Sequence, residues 1–101
     1  MLDQPATEDI DLTAILAALG EPIRLAIVRD LARGSALTCS HFCELTSKSN
    51  LTYHVTKMRE AGLVHVEPSG TKRLISLRRT DLDSRFPGVL DAIIANAQVE
   101  P

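Results

Sequence analysis

Residues 48–62 constrain the fold most, because a helical pattern there stops at a glycine and strand-like runs follow at once. Leu51, Val55 and Met58 recur at i, i+4 and i+7, which is the spacing of one buried helix face. Gly62 then supplies a helix stop. The pattern predicts a helix over residues 48–61 with a single apolar face.

The hydrophobic period changes directly after this helix. Residues 63–67 and 72–77 are short runs rich in β-branched and apolar residues. Between them, Pro-Ser-Gly-Thr at 68–71 is a strong turn signal. We therefore predict a β-hairpin immediately after the helix.

Apolar stripes predict four further helical segments. Two stripes at i, i+3, i+4 and i+7 lie near the ends of the chain: Leu12, Ile15, Leu16 and Leu19, and Leu90, Ile93, Ile94 and Ala97 in a helix from about Pro87. A second helix begins at Pro22, with Ile23, Ile27 and Leu31 on one face. A brief third helix around residues 39–45 directs Phe42 and Leu45 inward. The predicted order is α-α-α-α-β-β-α, mainly α with a β-hairpin wing, which is a winged helix–turn–helix (α+β).

The length of 101 residues allows one domain. We expect a flexible acidic N-terminus over residues 1–9 and a winged helix–turn–helix domain over residues 10–98. No apolar run of 18 residues is present, which excludes a membrane partner. The acidic start lacks a secretory leader, and two cysteines suit a reduced compartment, so a cytoplasmic location is expected.

The formal net charge of −2 conceals a strong asymmetry along the chain. Residues 48–79 hold seven Lys and Arg against two Glu, whereas residues 1–22 and 80–101 are both acidic. A basic region on an otherwise acidic body is typical of phosphate contact.

The side of the predicted helix opposite Leu51 is polar. It carries small hydroxyl side chains where an ordinary solvated helix face would carry pairs of Glu and Lys. Its hydroxyls, amide, phenol and amines can bond base edges or phosphates in the major groove of double-stranded DNA. Lys72 and Arg73 follow the hairpin turn and would reach the backbone. The predicted DNA-binding residues are Ser47, Lys48, Ser49, Asn50, Thr52, Tyr53, Thr56, Lys57, Lys72 and Arg73.

Two other classes of protein fit less well. No Gly-rich phosphate loop, His-Glu metal helix or Ser/His/Asp setting is visible, so we expect no enzyme and no catalytic residues. A winged-helix protein–protein module would need apolar anchors on the polar face, which offers Tyr53 and little else. His54, at the edge of the buried stripe, is expected to be a structural histidine.

The segment Leu19-Gly20-Glu21-Pro22-Ile23-Arg24-Leu25 resembles the opening motif of the ArsR family of bacterial winged-helix regulators. Residues 48–55 and the Met-Arg-Glu-Ala-Gly-Leu-Val run at 58–64 resemble its recognition helix, in the same order. The resemblance extends from about Ile10 to Leu77. It implies a homodimeric transcriptional repressor whose effector is unknown.

In such a dimer the first and last helices pack around a two-fold axis. Each recognition helix then reads one half of a palindromic operator, with half-sites roughly 34 Å apart. The residues that the resemblance assigns to the dimer interface are the two terminal stripes: Leu12, Ile15, Leu16, Leu19, Leu90, Ile93, Ile94 and Ala97.

The chain departs from the metal-sensing members of that family. Their Cys-x-Cys pair falls here at about Ala36 and Thr38, and residues 86–101 contain no His. We therefore expect no cofactor and no metal at the family's known sites. An alternative is a thiol- or metal-responsive repressor using Cys39, Cys43 and the nearby His41, although packing as small apolar residues explains the cysteines more simply.

Overall fold

A computed structural model describes residues 4–34 and 36–97. Residues 1–3 of the predicted N-terminal segment and residue 98 at the end of the predicted domain lie outside this range. The helices are α1 (Leu12–Ala18), α2 (Pro22–Leu31), α3 (Lys48–Ala61), α4 (Arg79–Arg85) and α5 (Val89–Asn96), and the strands are β1 (Leu37–Thr38), β2 (Val64–Ser69) and β3 (Lys72–Leu77). Short 3-10 turns cover Thr7–Asp9 and Cys39–Phe42.

Local chemistry explains where α3 begins and ends. The Ser47 side chain caps the helix by accepting a hydrogen bond from the Asn50 amide at 3.2 Å. At the other end Gly62 adopts a left-handed conformation with φ of 88°, and its amide donates back to the Arg59 carbonyl. Both signals were readable in the sequence, and the predicted helix over residues 48–61 is confirmed.

The three strands form one antiparallel sheet in the order β1-β3-β2. Strands β2 and β3 form the predicted hairpin, in which Ser69 pairs with Lys72 across a two-residue turn at Gly70 and Thr71. Gly70 has a positive φ of 63°, which glycine adopts without steric cost. Strand β1 extends the sheet on the other side of β3, where Leu37 pairs with Ile75.

The core lies between the helices and the inner face of this sheet. It is aliphatic apart from one aromatic ring, Phe42. Its most deeply buried large side chains are Phe42, Ile10, Ile27, Met58, Leu63, Ile75, Val28 and Val64. The buried face of α3 is the predicted one, since Leu51, Val55 and Met58 are all buried.

The mainly α fold with a hairpin wing is confirmed, but several element predictions need correction. The brief third helix is a 3-10 turn at Cys39–Phe42, and Leu45 beyond it is 40% exposed, not directed inward. Strand β1 was not predicted, because two residues show no periodicity. Helix α4 was also missed, because Leu82 is its one buried residue and gives no stripe. Helix α5 begins at Val89, two residues later than expected.

Residues 4–10, which we call the N-terminal strap, are attached to the domain. The Gln4 side-chain amide accepts from the Val66 amide at 2.9 Å and donates to its carbonyl at 3.2 Å, so it pairs with edge strand β2 as another strand would. The Arg78 guanidinium donates to the Pro5 carbonyl at 2.6 Å. These contacts attach the strap to β2 and to the residue before α4, and the flexibility expected for residues 1–9 stays a prediction.

Candidate nucleic-acid interface

Helix α3 is held on one side by the core and presents its opposite side outward. The buried side packs against α1, α2 and β2. The other side carries the polar residues predicted to contact DNA, which together we call the recognition face: Ser47, Lys48, Ser49, Asn50, Thr52, Tyr53, Thr56 and Lys57. All are exposed except Thr56, which is half-buried. The structure thus places these eight residues on or directly before α3, on the side away from the core.

The N-terminal turn of the recognition face is an organised network of short polar side chains. The Asn50 side-chain amide donates to the Thr46 hydroxyl at 3.2 Å, and its backbone amide donates to the Ser47 hydroxyl. The hydroxyls of Ser47 and Ser49 lie 3.5 Å apart. Because an amide has two N–H donors and one acceptor oxygen, Asn50 keeps an oxygen and one N–H for another partner.

Farther along α3, two polar side chains are partly engaged within the helix. The Thr52 hydroxyl donates to the Lys48 carbonyl at 3.1 Å, which leaves its oxygen as an acceptor. The Lys57 ammonium lies 3.8 Å from a carboxylate oxygen of Glu60, and both side chains are about half exposed. Such an exposed pair contributes only about 0–1 kcal/mol, so a phosphate can compete for Lys57 at little cost.

Tyr53 is the one aromatic residue of the recognition face, and 54% of it is exposed. Two cations flank its ring: the Lys57 ammonium lies 5.7 Å from the ring centroid and the Arg24 guanidinium 5.9 Å from it. The His54 ring meets it edge-on at 5.6 Å between centroids. The phenol is therefore exposed to a ligand while its ring has fixed neighbours on the protein side.

Beneath Tyr53, α2 and α3 are joined by a buried polar contact. Arg24 Nε donates to His54 Nδ1 at 3.0 Å, and Arg24 Nη1 donates to the Ala18 carbonyl at 3.2 Å. His54 is thus a structural histidine, as expected. The burial of Arg24 was not predicted. Arg24 lies on the inward face of α2, whereas Ile23, which was predicted on that face, is only half-buried. The position of Arg24 three residues before Ile27 on the apolar stripe was the available signal.

The wing cations Lys72 and Arg73 lie at the start of β3, both exposed. They sit beside the hairpin turn, opposite Ser69 and Pro68 of β2. The wing therefore carries these two positive charges beside its turn. The chain runs from α3 into this hairpin with only Gly62 and Leu63 between.

Comparisons with known proteins agree with this geometry. The helix-turn-helix domain family matches residues 19–67. A curated relative from Bacillus subtilis (strain 168), described as the uncharacterized HTH-type transcriptional regulator YceK, is 33% identical over an alignment of 82 residues that covers 78% of this chain and 82% of that protein. The chain belongs to the helix–turn–helix transcriptional regulators.

Within these regulators the fold is that of the ArsR type. The crystal structure of an ArsR family transcriptional regulator superimposes with a TM-score of 0.66 at 21% identity, covering 84% of this chain and 89% of that chain. The predicted ArsR-type winged-helix fold is confirmed. As a helix–turn–helix regulator this protein acts in transcription through DNA, and such regulators are normally not enzymes. No helix among the described residues is long and apolar enough to cross a membrane.

The cysteines of this regulator do not gather with other ligands. Cys39 is half-buried and Cys43 exposed, and both are free thiols. His41 lies 3.6 Å from a carboxylate oxygen of Asp30 and edge-on to Phe42. In residues 4–34 and 36–97 no three His, Cys, Asp or Glu side chains are grouped so as to hold a metal ion. The alternative ligand set of Cys39, His41 and Cys43 is therefore not assembled within one chain.

The predicted dimer stripes are divided between the core and the surface. Four of their residues are buried within the chain itself, namely Ile15, Leu19, Leu90 and Ala97. They point inward because α1 and α5 each use one side to close the core. The members left accessible are Leu12 at 37%, Leu16 at 51% and the half-buried Ile93 and Ile94.

Proposed function

We propose that this regulator is a sequence-specific repressor that binds a palindromic DNA operator as a homodimer. The recognition face is the observation that carries the proposal. It combines exposed groups of both hydrogen-bonding senses on a helix whose other side is fixed in the core. An α-helix fits the major groove, and base edges there offer both donors and acceptors.

Separate residues supply sequence reading and affinity. Ser49, Asn50, Thr52 and Tyr53 are short or planar groups suited to base edges. The positive charges that would contact phosphates belong to Lys48, Lys57, Lys72 and Arg73. Phosphate contacts set affinity and its salt dependence, whereas base contacts set selectivity.

The dimer is supported by the apolar surface that remains outside the core. Leu16 is the most exposed large aliphatic side chain among the described residues, and Leu12 lies one helical turn before it on α1. Two adjacent exposed leucines on a helix suit burial against a second copy. A two-fold dimer presents two recognition helices, and the operator then has matching half-sites.

Selection from a random DNA library tests the function directly. The purified protein is carried through several rounds of binding, and the bound sequences are read as a motif. An enriched palindrome supports the proposal and supplies the operator, which is then placed across a promoter to measure repression in vitro. Weak, salt-sensitive binding without enrichment contradicts sequence-specific reading.

The dimer has its own test in sedimentation velocity. Leu16→Glu buries a charge in the proposed interface without touching the core, so we expect a monomer with unchanged helix content. Leu45→Glu is the matched control, because Leu45 is 40% exposed but lies in the turn before α3. A Leu16→Glu variant that stays dimeric contradicts the assigned interface.

A further inference from the structure

Arg24 is buried in a way that core packing alone does not explain. The residue is only 7% exposed, and its partners are a neutral imidazole, a backbone carbonyl and an aromatic ring. No carboxylate pairs with it among the described residues. Burying a guanidinium without an anion is costly, and an apolar side chain would fill the space more cheaply.

The contacts of Arg24 converge on the recognition helix. Its Nη1 is fixed by the Ala18 carbonyl at the end of α1, and its Nε reaches across from α2 to His54 on α3. The same guanidinium lies 5.9 Å from the Tyr53 ring centroid, within the range of cation–π attraction. One side chain therefore connects α1 and α2 to two successive residues of α3.

We propose that Arg24 is a positioning residue for DNA reading: through His54 and the Tyr53 ring it sets the roll of α3 and the direction of the phenol. The inference rests on the proposed role of Tyr53 in base contact. A rigid support for an exposed recognition side chain reduces the entropy lost when that side chain binds. The supporting group is buried so that it cannot move with the ligand.

The hydrogen bond also defines which histidine nitrogen matters. Since Arg24 Nε carries a hydrogen, His54 Nδ1 must be the acceptor, and the imidazole hydrogen is on Nε2. An Asn side chain can place its oxygen near the position of Nδ1, whereas a Gln side chain reaches toward the position of Nε2. His54→Asn therefore preserves the acceptor that Arg24 needs, and His54→Gln misplaces it.

Tyrosine fluorescence provides a readout that does not involve DNA. The chain has one tyrosine and no tryptophan, so the signal comes from Tyr53 alone. We expect Arg24→Lys and His54→Gln to increase acrylamide quenching and lower the anisotropy, while His54→Asn stays close to the wild type. Arg29→Lys is the matched control, because Arg29 lies on α2 but is 41% exposed and pairs with Asp30.

The same variants are then titrated with the selected operator and with a scrambled duplex at one salt concentration. We expect Arg24→Lys and His54→Gln to weaken operator binding about tenfold, equal to about 1.4 kcal/mol, with scrambled binding within about twofold. His54→Asn should restore operator binding. Thermal unfolding of each variant, measured alongside, confirms that the titrated protein is folded.

Two results would overturn the positioning role. One is equal loss of operator and scrambled binding in proportion to the fall in Tm, which indicates a purely structural arginine. The other is unchanged Tyr53 fluorescence in Arg24→Lys and His54→Gln. Failure of the proposed function itself is distinguished at the library selection, which would then yield no operator. If an operator is found but Tyr53→Ala keeps full discrimination between operator and scrambled DNA, the base contact of Tyr53 is contradicted and the positioning role with it.

Discussion

Replacement of Gly62 by alanine tests how the recognition helix is joined to the N-terminal strap. Gly62 has φ of 88°, where an L residue costs about 1–2 kcal/mol. A Cβ there would also lie 2.7 Å from Ile10 Cγ1 and 3.1 Å from Pro5 Cγ. Ile10 is 1% exposed and β-branched, so it cannot rotate away, and overpacking of this kind adds about 1–3 kcal/mol. We expect Gly62→Ala to lower the free energy of unfolding by about 2–5 kcal/mol.

Urea denaturation followed by circular dichroism measures this loss, with Gly70→Ala as the matched control. Gly70 also has a positive φ, of 63°, but a Cβ there meets nothing within 4 Å, so only the backbone cost of about 1–2 kcal/mol applies. The difference between the two variants is the cost of the clash. In a double-mutant cycle, Ile10→Ala should then cost less beside Gly62→Ala than alone. Equal destabilisation by Gly62→Ala and Gly70→Ala would refute the packing of the strap against Gly62.

Three further outcomes follow from the charges and thiols. The hydrogen bond from Arg78 lowers the pKa of Asp81 below its usual value of 3.8; the ionised carboxylate therefore stabilises the fold above that pH, and this contribution disappears as the pH falls through the lowered pKa. Asp81→Asn should accordingly lower the urea midpoint at pH 7 and lower it less at pH 2.5, and equal effects at both pH values would contradict the ion pair. Burial raises the pKa of the Cys39 thiol, while Cys43 is exposed. Iodoacetamide at pH 7.5 should therefore modify Cys43 first, which peptide mass spectrometry measures. Faster labelling of Cys39 would contradict its burial. Lys57→Ala should weaken operator and scrambled DNA alike and reduce the salt slope by about one unit, whereas a selective loss of operator binding would assign Lys57 to base reading.

The sequence by itself determined the parts of the molecule whose structure is decided locally. Helix α3 is one, because its cap, its apolar spacing and its glycine stop all lie within residues 47–62. The hairpin is another, because the turn residues and the change of period are adjacent in the chain. The recognition face follows from these, since a helix with one buried side has its opposite side exposed.

Only the tertiary structure decided which residues of the apolar stripes are buried within the chain. Ile15 and Leu16 are neighbours in one apolar stripe, yet one is 2% and the other 51% exposed. An apolar stripe wider than the available core has surplus residues at its edge, and the sequence does not show where the core ends. The spacing of the stripes therefore does not divide their residues between core and surface.

Contacts between residues far apart in the sequence also decided the positions of Gln4 and Arg24, which were not predicted. Gln4 and Val66 are 62 positions apart, and Arg24 and His54 are 30 apart. Neither pair has a local pattern, because hydrogen bonds of this kind form only after the helices and the sheet have packed. The periodicity of the chain determined which side of α3 is exposed, and the packing of α1 and α2 against it determined how that helix is held.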